Sequence, residues 1–329
     1  MRMNTGLRSR FALALALVLA GLGPQAAAQD WPAARPIRIV VAYPPGGSTD
    51  LMARLLAQKL GPALQQSVVV ENRPGAAGQI GTAQVAKADA DGYTLLFTNA
   101  GPGAVGYGLL KSPTYHPVRD FAPVATMANM PLVMAVGGAS PYRSVAELVA
   151  AAKAQPGRLN YASTGNGSVS HIATELFSTL AGIQLTHVPY KGGAQTTPAV
   201  MTGEVAFFFS VPSDIFPHVQ AGKMRALAIA SARRTALAPE LPTMAEAGIK
   251  GFEVDLWYGL LAPRGTPRAV VERLSRETRA ALQQPDVRER ISALASVPLS
   301  LSPEEFAAAI ASDVEKWTGV IKANHISAD

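Results

Sequence analysis

The sequence predicts an α/β protein of two doubly wound units, parallel sheets covered by helices, with the first unit built from two separate stretches of chain. Three observations carry this expectation. Strand-like and helix-like segments alternate along all 329 residues. Runs such as Ile37 to Ala42 and Val205 to Val211 are nearly continuously apolar, as in strands buried on both faces. The length exceeds one ordinary domain, and hydrophobic residues at 48% against 16% charged supply a full core.

The N-terminus reads as a processing signal. Arg2, Arg8 and Arg10 precede an apolar run from Phe11 to Leu22, and Ala26-Ala27-Ala28 offers a small-residue cleavage site. The run is short of the roughly 20 residues that span a bilayer. A secretory signal peptide over residues 1–28, cut after Ala28, implies a periplasmic protein. No later segment is apolar for long enough to span a membrane, so the mature chain is expected to be soluble. Cysteine is absent, so stability rests on packing, and no N-terminal cysteine can carry a lipid. Three arginines fall in the signal, leaving +3 of the formal charge of +6. No basic run is longer than Arg233-Arg234, which excludes the clustered face that nucleic acid requires.

Taken in order, Ile37 to Ala42 reads as a strand and Leu51 to Leu60 as a helix. Val68 to Val70 is a strand ending at Asn72-Arg73-Pro74-Gly75, Gln79 to Ala88 a helix, and Tyr93 to Thr98 a strand after the Asp91-Gly92 turn. Leu132 to Val136 is a strand, and Val145 to Ala154 a helix stopped by Pro156-Gly157. Leu159 to Ala162 is a strand, and Val169 to Leu180 a helix ended by Gly182. Strands follow at Leu185 to Pro189, Val205 to Val211, Ala226 to Ala230 and Leu256 to Leu261. The chain finishes with helices at Pro267 to Gln283, Pro285 to Leu294 and Pro303 to Ala323. Crossings near Met130-Pro131 and Val254-Asp255 divide it into a first domain, 29–130 with 256–329, and a second, 131–255.

Ligands of open α/β sheets bind beyond the carboxyl ends of the strands, so loops running from strand to helix are the places to look. Gly46-Gly47-Ser48-Thr49-Asp50 is one: glycines for close approach, small polar residues for capping, and helix N–H groups that favour an anion. Taken alone it reads first as an ordinary capped turn. Ser163-Thr164-Gly165-Asn166-Gly167-Ser168 leads into a second helix, with His171 in the first turn placed to point over the same pocket. Val188-Pro189-Tyr190-Lys191-Gly192-Gly193 supplies an apolar wall with a polar tip in Tyr190. Asn99, at a strand end, is a further candidate contact. The glycines of Gly101-Pro102-Gly103-Ala104-Val105-Gly106 mimic a dinucleotide fingerprint, but Pro102 intrudes and no acidic residue follows at the required distance. The five histidines are scattered, without metal-ligand spacing. No cofactor or metal is expected.

The segments YPPGGSTD, ENRPGAAGQIG, ADGYTLLFTN, DFAPVA, LNYASTGNGSVSHIATELF, HVPYKGG and GLLAPRGTP, in this order, resemble the Bug-type extracytoplasmic solute receptors of tripartite tricarboxylate transporters. The resemblance implies a periplasmic binding protein of the flytrap type, two domains around a central cleft, in which two loops pinch a ligand carboxylate. Those loops are residues 44–50 and 163–171 here. The candidate ligand-binding residues are Tyr43, Gly47, Ser48, Asp50, Asn99 and Ser163 on one count, with Thr164, Asn166, Ser168, His171, Tyr190 and Asp214. The expected ligand is a small organic acid: a di- or tricarboxylate, an acidic amino acid or an aromatic acid. The expected partners are membrane permease subunits, with the receptor itself a monomer. Two rival readings use the same residues: an exported hydrolase built on Ser168 and His171, and a ligand sensor for a membrane signalling protein.

Overall fold

The computed structural model describes residues 31–109, 112–190, 193–235 and 238–326. The signal segment and Lys191 lie outside them. Two sheets organise the chain. The first has strand order β11-β4-β10-β3-β1-β2, from β1 (Ile37–Val41), β2 (Val68–Asn72), β3 (Thr94–Asn99), β4 (Phe121–Pro131), β10 (Asp255–Pro263) and β11 (Val297–Pro298). The second has order β7-β6-β8-β5-β9, from β5 (Val133–Gly137), β6 (Asn160–Ser163), β7 (Thr186–Pro189), β8 (Phe207–Ser210) and β9 (Met224–Ile229). Helices α1 (Ser48–Leu64), α2 (Gln79–Ala86), α7 (Arg268–Ala281), α8 (Pro285–Ala293) and α9 (Pro303–Ala323) accompany the first sheet in sequence. Helices α3 (Val145–Ala154), α4 (Val169–Ala181), α5 (Gly193–Thr202) and α6 (Pro212–Gln220) accompany the second.

The expectation of parallel sheets is corrected: both are mixed. β1 pairs parallel with β2 and β3, and β6 with β7 and β8. β10 is antiparallel to β3 and β4, and β5 to β8 and β9. β11 is antiparallel to β4 at the edge of the first sheet, and the other reversed strands, β5 and β10, adjoin the crossings between sheets. β4 runs through Leu132 directly into β5, and β10 takes the chain back. Apolarity on both faces reports burial, which these strands share, and says nothing of direction. The two crossings lie side by side, with Ala230 N–H donating to Leu132 O (2.8 Å) and Val254 N–H to Ala230 O (2.8 Å).

β4 is a strand that the sequence reading leaves out. Pro123 interrupts it, and proline is ordinarily confined to edges and bulges. Here Pro123 pairs with Leu261 beside a register shift between Leu260 and Leu261, where the missing N–H is tolerated. Helices α5 and α6 were hidden by the same residue type: Pro198 lies inside the first, Pro212 and Pro217 in the second. The alternation of β8 divides its phenylalanines. Phe207 and Phe209 pack with Phe177 and Phe252 on one face, and Phe208 with Val133, Ala135 and Ile215 on the other. Each buried ring is worth about 1.5–3 kcal/mol.

Candidate functional site

A cavity of about 740 Å³ takes its walls from residues at the carboxyl ends of strands in both sheets. Tyr43 follows β1, Ala76 and Gln79 follow β2, and Gly101 follows β3. Residues between Thr164 and Ser170 follow β6, and Ser210, Val211 and Asp214 close β8. Leu132 and Leu256 contribute from the crossings. Its size falls in the range of roughly 300–1,000 Å³ usual for small-molecule sites. Another hollow of about 640 Å³, between α1, β2 and α8, draws no residue from the second sheet.

The β6–α4 junction is the polar part of the cavity. Ser168 is the N-cap of α4, its Oγ accepting from His171 N–H at 3.3 Å. Ser170 is the centre of a hydroxyl cluster: its Oγ accepts from Thr164 N–H (3.0 Å) and lies 3.2 Å from Thr164 Oγ1 and 3.0 Å from Ser168 Oγ. First-turn N–H groups of a helix have no intrahelical acceptor. That of His171 is taken by Ser168, while the two before it belong to Val169 and Ser170, which line the cavity. The positive end of the α4 dipole therefore meets the cavity beside three hydroxyls.

His171 holds this loop from behind. Gly167, at φ 71°, donates its N–H to His171 Nδ1 at 3.0 Å. The imidazole stacks on His187 with centroids 3.9 Å apart, and His187 stacks in turn on Tyr161. Burial, with the adjacent His187, pushes the His171 imidazole down to about 4, and burial lowers His187 too. The Gly167 bond requires an unprotonated Nδ1, so His171 is a neutral acceptor. Ser163, fully buried, lies 2.6 Å from His187 Nε2 through its Oγ and also bonds Gly165. The expectation that His171 points over the pocket is corrected: its ring is turned inward, and Ser168 meets its backbone instead of its ring.

The β1–α1 junction is wired differently. Gly47 is the N-cap of α1 and, having no side chain, caps nothing. Asp50, 2% exposed, accepts from Gly46 N–H (2.9 Å), Arg54 Nε (3.0 Å) and Asn72 Nδ2 (2.8 Å). Burial raises its pKa, but Arg54, Gly46 and Asn72 outweigh this and hold the carboxyl below the usual range. Asn72 also donates to Tyr43 O, and Asn99 Nδ2 to Thr49 Oγ1. Asn99 Oδ1 accepts from Gly101 N–H and from the Tyr43 hydroxyl. Asp50 and Asn99 thus build the loop instead of facing the cavity.

Of the twelve sequence candidates, the structure brings Tyr43, Thr164, Asn166, Ser168 and Asp214 together on the cavity wall. Gly47, Ser48, Asp50, Asn99, Ser163, His171 and Tyr190 are not on it; the Tyr190 hydroxyl donates to Glu204. Phe209 lines the cavity, whereas Trp257 is held in the core by Asp313 and Phe306. Gln79, Ser170 and Ser210 were missed. Gln79 opens a helix after a glycine-rich loop, the same signal used for the other junctions, and its Oε1 lies 2.7 Å from the Tyr115 hydroxyl. Ser210 is the polar residue closing an apolar strand, and its Oγ donates to Asp214 Oδ2 at 2.7 Å.

Two α/β domains joined at paired crossings, with a small-molecule cavity between their strand ends, define the flytrap class of binding proteins. Residues 52–326 match the family described as tripartite tricarboxylate transporter family receptor, TctC, and the chain belongs to that family. It is 38% identical to protein BugT of Bordetella pertussis, over 93% of this chain and 94% of that protein. A Rhodopseudomonas palustris protein solved with adipate is 35% identical with a TM-score of 0.76, covering 91% of this chain and 99% of its own. MatC from Rhodopseudomonas palustris, solved with bound malate, is 32% identical with a TM-score of 0.73, covering 88% and 99%.

Proposed function

We propose that the protein captures a small organic carboxylate in this cleft and delivers it to the membrane subunits of a tripartite tricarboxylate-type transporter. The observation that carries the reading is the N-terminus of α4 opening beside Thr164, Ser168 and Ser170 into a cavity shared by both sheets. Relatives solved with adipate and malate support the ligand class. The domains divide at 130/131 and 255/256, the two crossings serving as the hinge. Residues 1–28 direct export to the periplasm and are removed.

A helix N-terminus supplies about 0.3–1 kcal/mol at an exposed site and up to ~2 when partly buried. Micromolar affinity requires about 8 kcal/mol. Hydroxyl and amide donors, and exclusion of water as the domains close, provide the remainder. Among the described residues that line the cavity there is no lysine or arginine, so the anion is held by dipoles, which eases release. Gly47 and Ser48 join the site on closure, since α1 begins with no side-chain cap and its first N–H groups suit an anion.

Thermal unfolding of the mature protein against a panel of carboxylic acids tests the reading. A saturable rise in Tm with at least one acid, weakened in Ser168→Ala, is expected. No rise with any acid contradicts it. Turnover of a model ester that Ser168→Ala abolishes would favour the hydrolase instead.

A further inference from the structure

The cavity is lopsided in charge. Among its described lining residues Asp214 is the one charged group. It stands in the first turn of α6, and Ser210 donates to its Oδ2 at 2.7 Å. A helix dipole favours an acid at that position, but that role needs neither the serine nor a place on the cavity wall. One hydrogen bond leaves a carboxylate with further acceptor capacity. β8 lies beside β6 in parallel pairing, so the loop carrying Asp214 is the neighbour of the loop carrying Ser168 and Ser170. An acceptor and an anion-favouring helix end thus share one wall. The remaining surface is largely apolar, from Val105, Leu109, Leu132, Phe209, Val211 and Leu256.

Resting on the carboxylate reading above, we infer that the cleft selects a monocarboxylate with an adjacent hydrogen-bond donor, ammonium or hydroxyl, and an apolar body, and that Asp214 is the specificity-determining acceptor. The ligand's carboxylate faces α4, its donor reaches Asp214, and its hydrocarbon lies against the apolar surface. A second carboxylate in place of the donor meets a like charge with no lining cation to offset it. Ser210 orients Asp214 through Oδ2, and the carboxylate keeps acceptor capacity for a ligand donor.

Two matched series, alike except at the carbon next to the carboxylate, test this by calorimetric titration of the mature protein. The isobutyl series is leucine, 2-hydroxy-4-methylpentanoate, 4-methylpentanoate and isobutylmalonate; the benzyl series is phenylalanine, phenyllactate, 3-phenylpropanoate and benzylmalonate. In a series that binds, the ammonium or hydroxyl acid should exceed both the malonate and the unsubstituted acid by about tenfold. Asp214→Asn, which keeps the shape and the Ser210 contact, should reduce that preference to within about threefold. The inference falls, and the carboxylate reading stands, if the malonate or the unsubstituted acid binds as tightly. It falls alike if Asp214→Asn leaves the preference intact, or if neither series binds while adipate or malate does. If no carboxylate binds, both fall.

Discussion

The two strand-to-helix junctions β1–α1 and β6–α4 share one backbone device and differ in the atom that completes it. In each, a glycine just before the N-cap, Gly46 or Gly167, takes a positive φ of 87° or 71°. Each donates its N–H to the side chain four residues on, in the third helical position. At β1–α1 the acceptor is the Asp50 carboxylate; at β6–α4 it is the neutral His171 imidazole. The carboxylate ties its loop also to Arg54 and Asn72, and brings a negative charge to that junction. The imidazole pins its loop without charge, and that loop lines the cavity. The two loops thus differ in charge: the acceptor behind the cavity-lining loop is neutral, and the carboxylate of the other is turned into its own loop.

Asp50→Ala separates the two junctions most sharply. It strands the Gly46 N–H and one Asn72 donor, while Arg54 stays half-exposed and bonded to Asn72, and should cost about 3 kcal/mol in urea unfolding, with a smaller loss of ligand affinity per folded molecule than His171→Gln. A loss of affinity larger than that from His171→Gln would break the comparison.

The pH dependence comes next. His171 is neutral when folded, with a pKa of about 4, against about 6.5 unfolded. Its contribution is fully present above pH ~6.5 and is lost as pH falls toward 4, by up to about 3 kcal/mol. Asp255, pushed up to about 6 by burial at the crossing, acts with opposite sign in the same window. The His171 share is therefore the difference between wild type and His171→Gln, measured from pH 8 to 4. Asp50, held below its usual range, loses its contribution only as pH falls below about 4. Equal pH slopes for wild type and His171→Gln between 6.5 and 4 would remove the neutral-imidazole argument.

The smallest effect is at Ser170. Ser170→Ala removes the acceptor of Thr164 N–H and should cost about 1 kcal/mol of stability, with a several-fold loss of affinity. Stability loss without affinity loss would make the hydroxyl cluster purely structural.

The residues made some of this legible in advance. Apolar strands, Gly and Pro stops and small polar loops located β1, α3 and α4 nearly to the residue, and picked out α4's junction, which lines the cavity. Strand direction was not legible, because burial on both faces is common to β5, β8 and β10 whichever way they run. β4, α5 and α6 were lost to prolines: Pro123 beside a register shift, Pro212 in a first helical turn, and Pro198 and Pro217 inside their helices. Inward or outward orientation escaped as well. Asp50, Asn99 and His171 were named for their chemistry, yet whether such a side chain faces a ligand or its own loop depends on partners distant in sequence, such as Asn72 and His187. Ser170 and Gln79 lay inside quoted motifs and were passed over because nothing local distinguishes a lining hydroxyl or amide from a capping one.

On the proposed reading, a carboxylate docks on the N-terminus of α4. Backbone amide NMR of the mature protein, titrated with a binding acid and separately with its neutral primary amide, tests it directly. Saturable shifts of the Val169 and Ser170 amide protons are expected with the acid, and far weaker ones with the amide. Saturable binding of the acid that leaves both protons unmoved would contradict it.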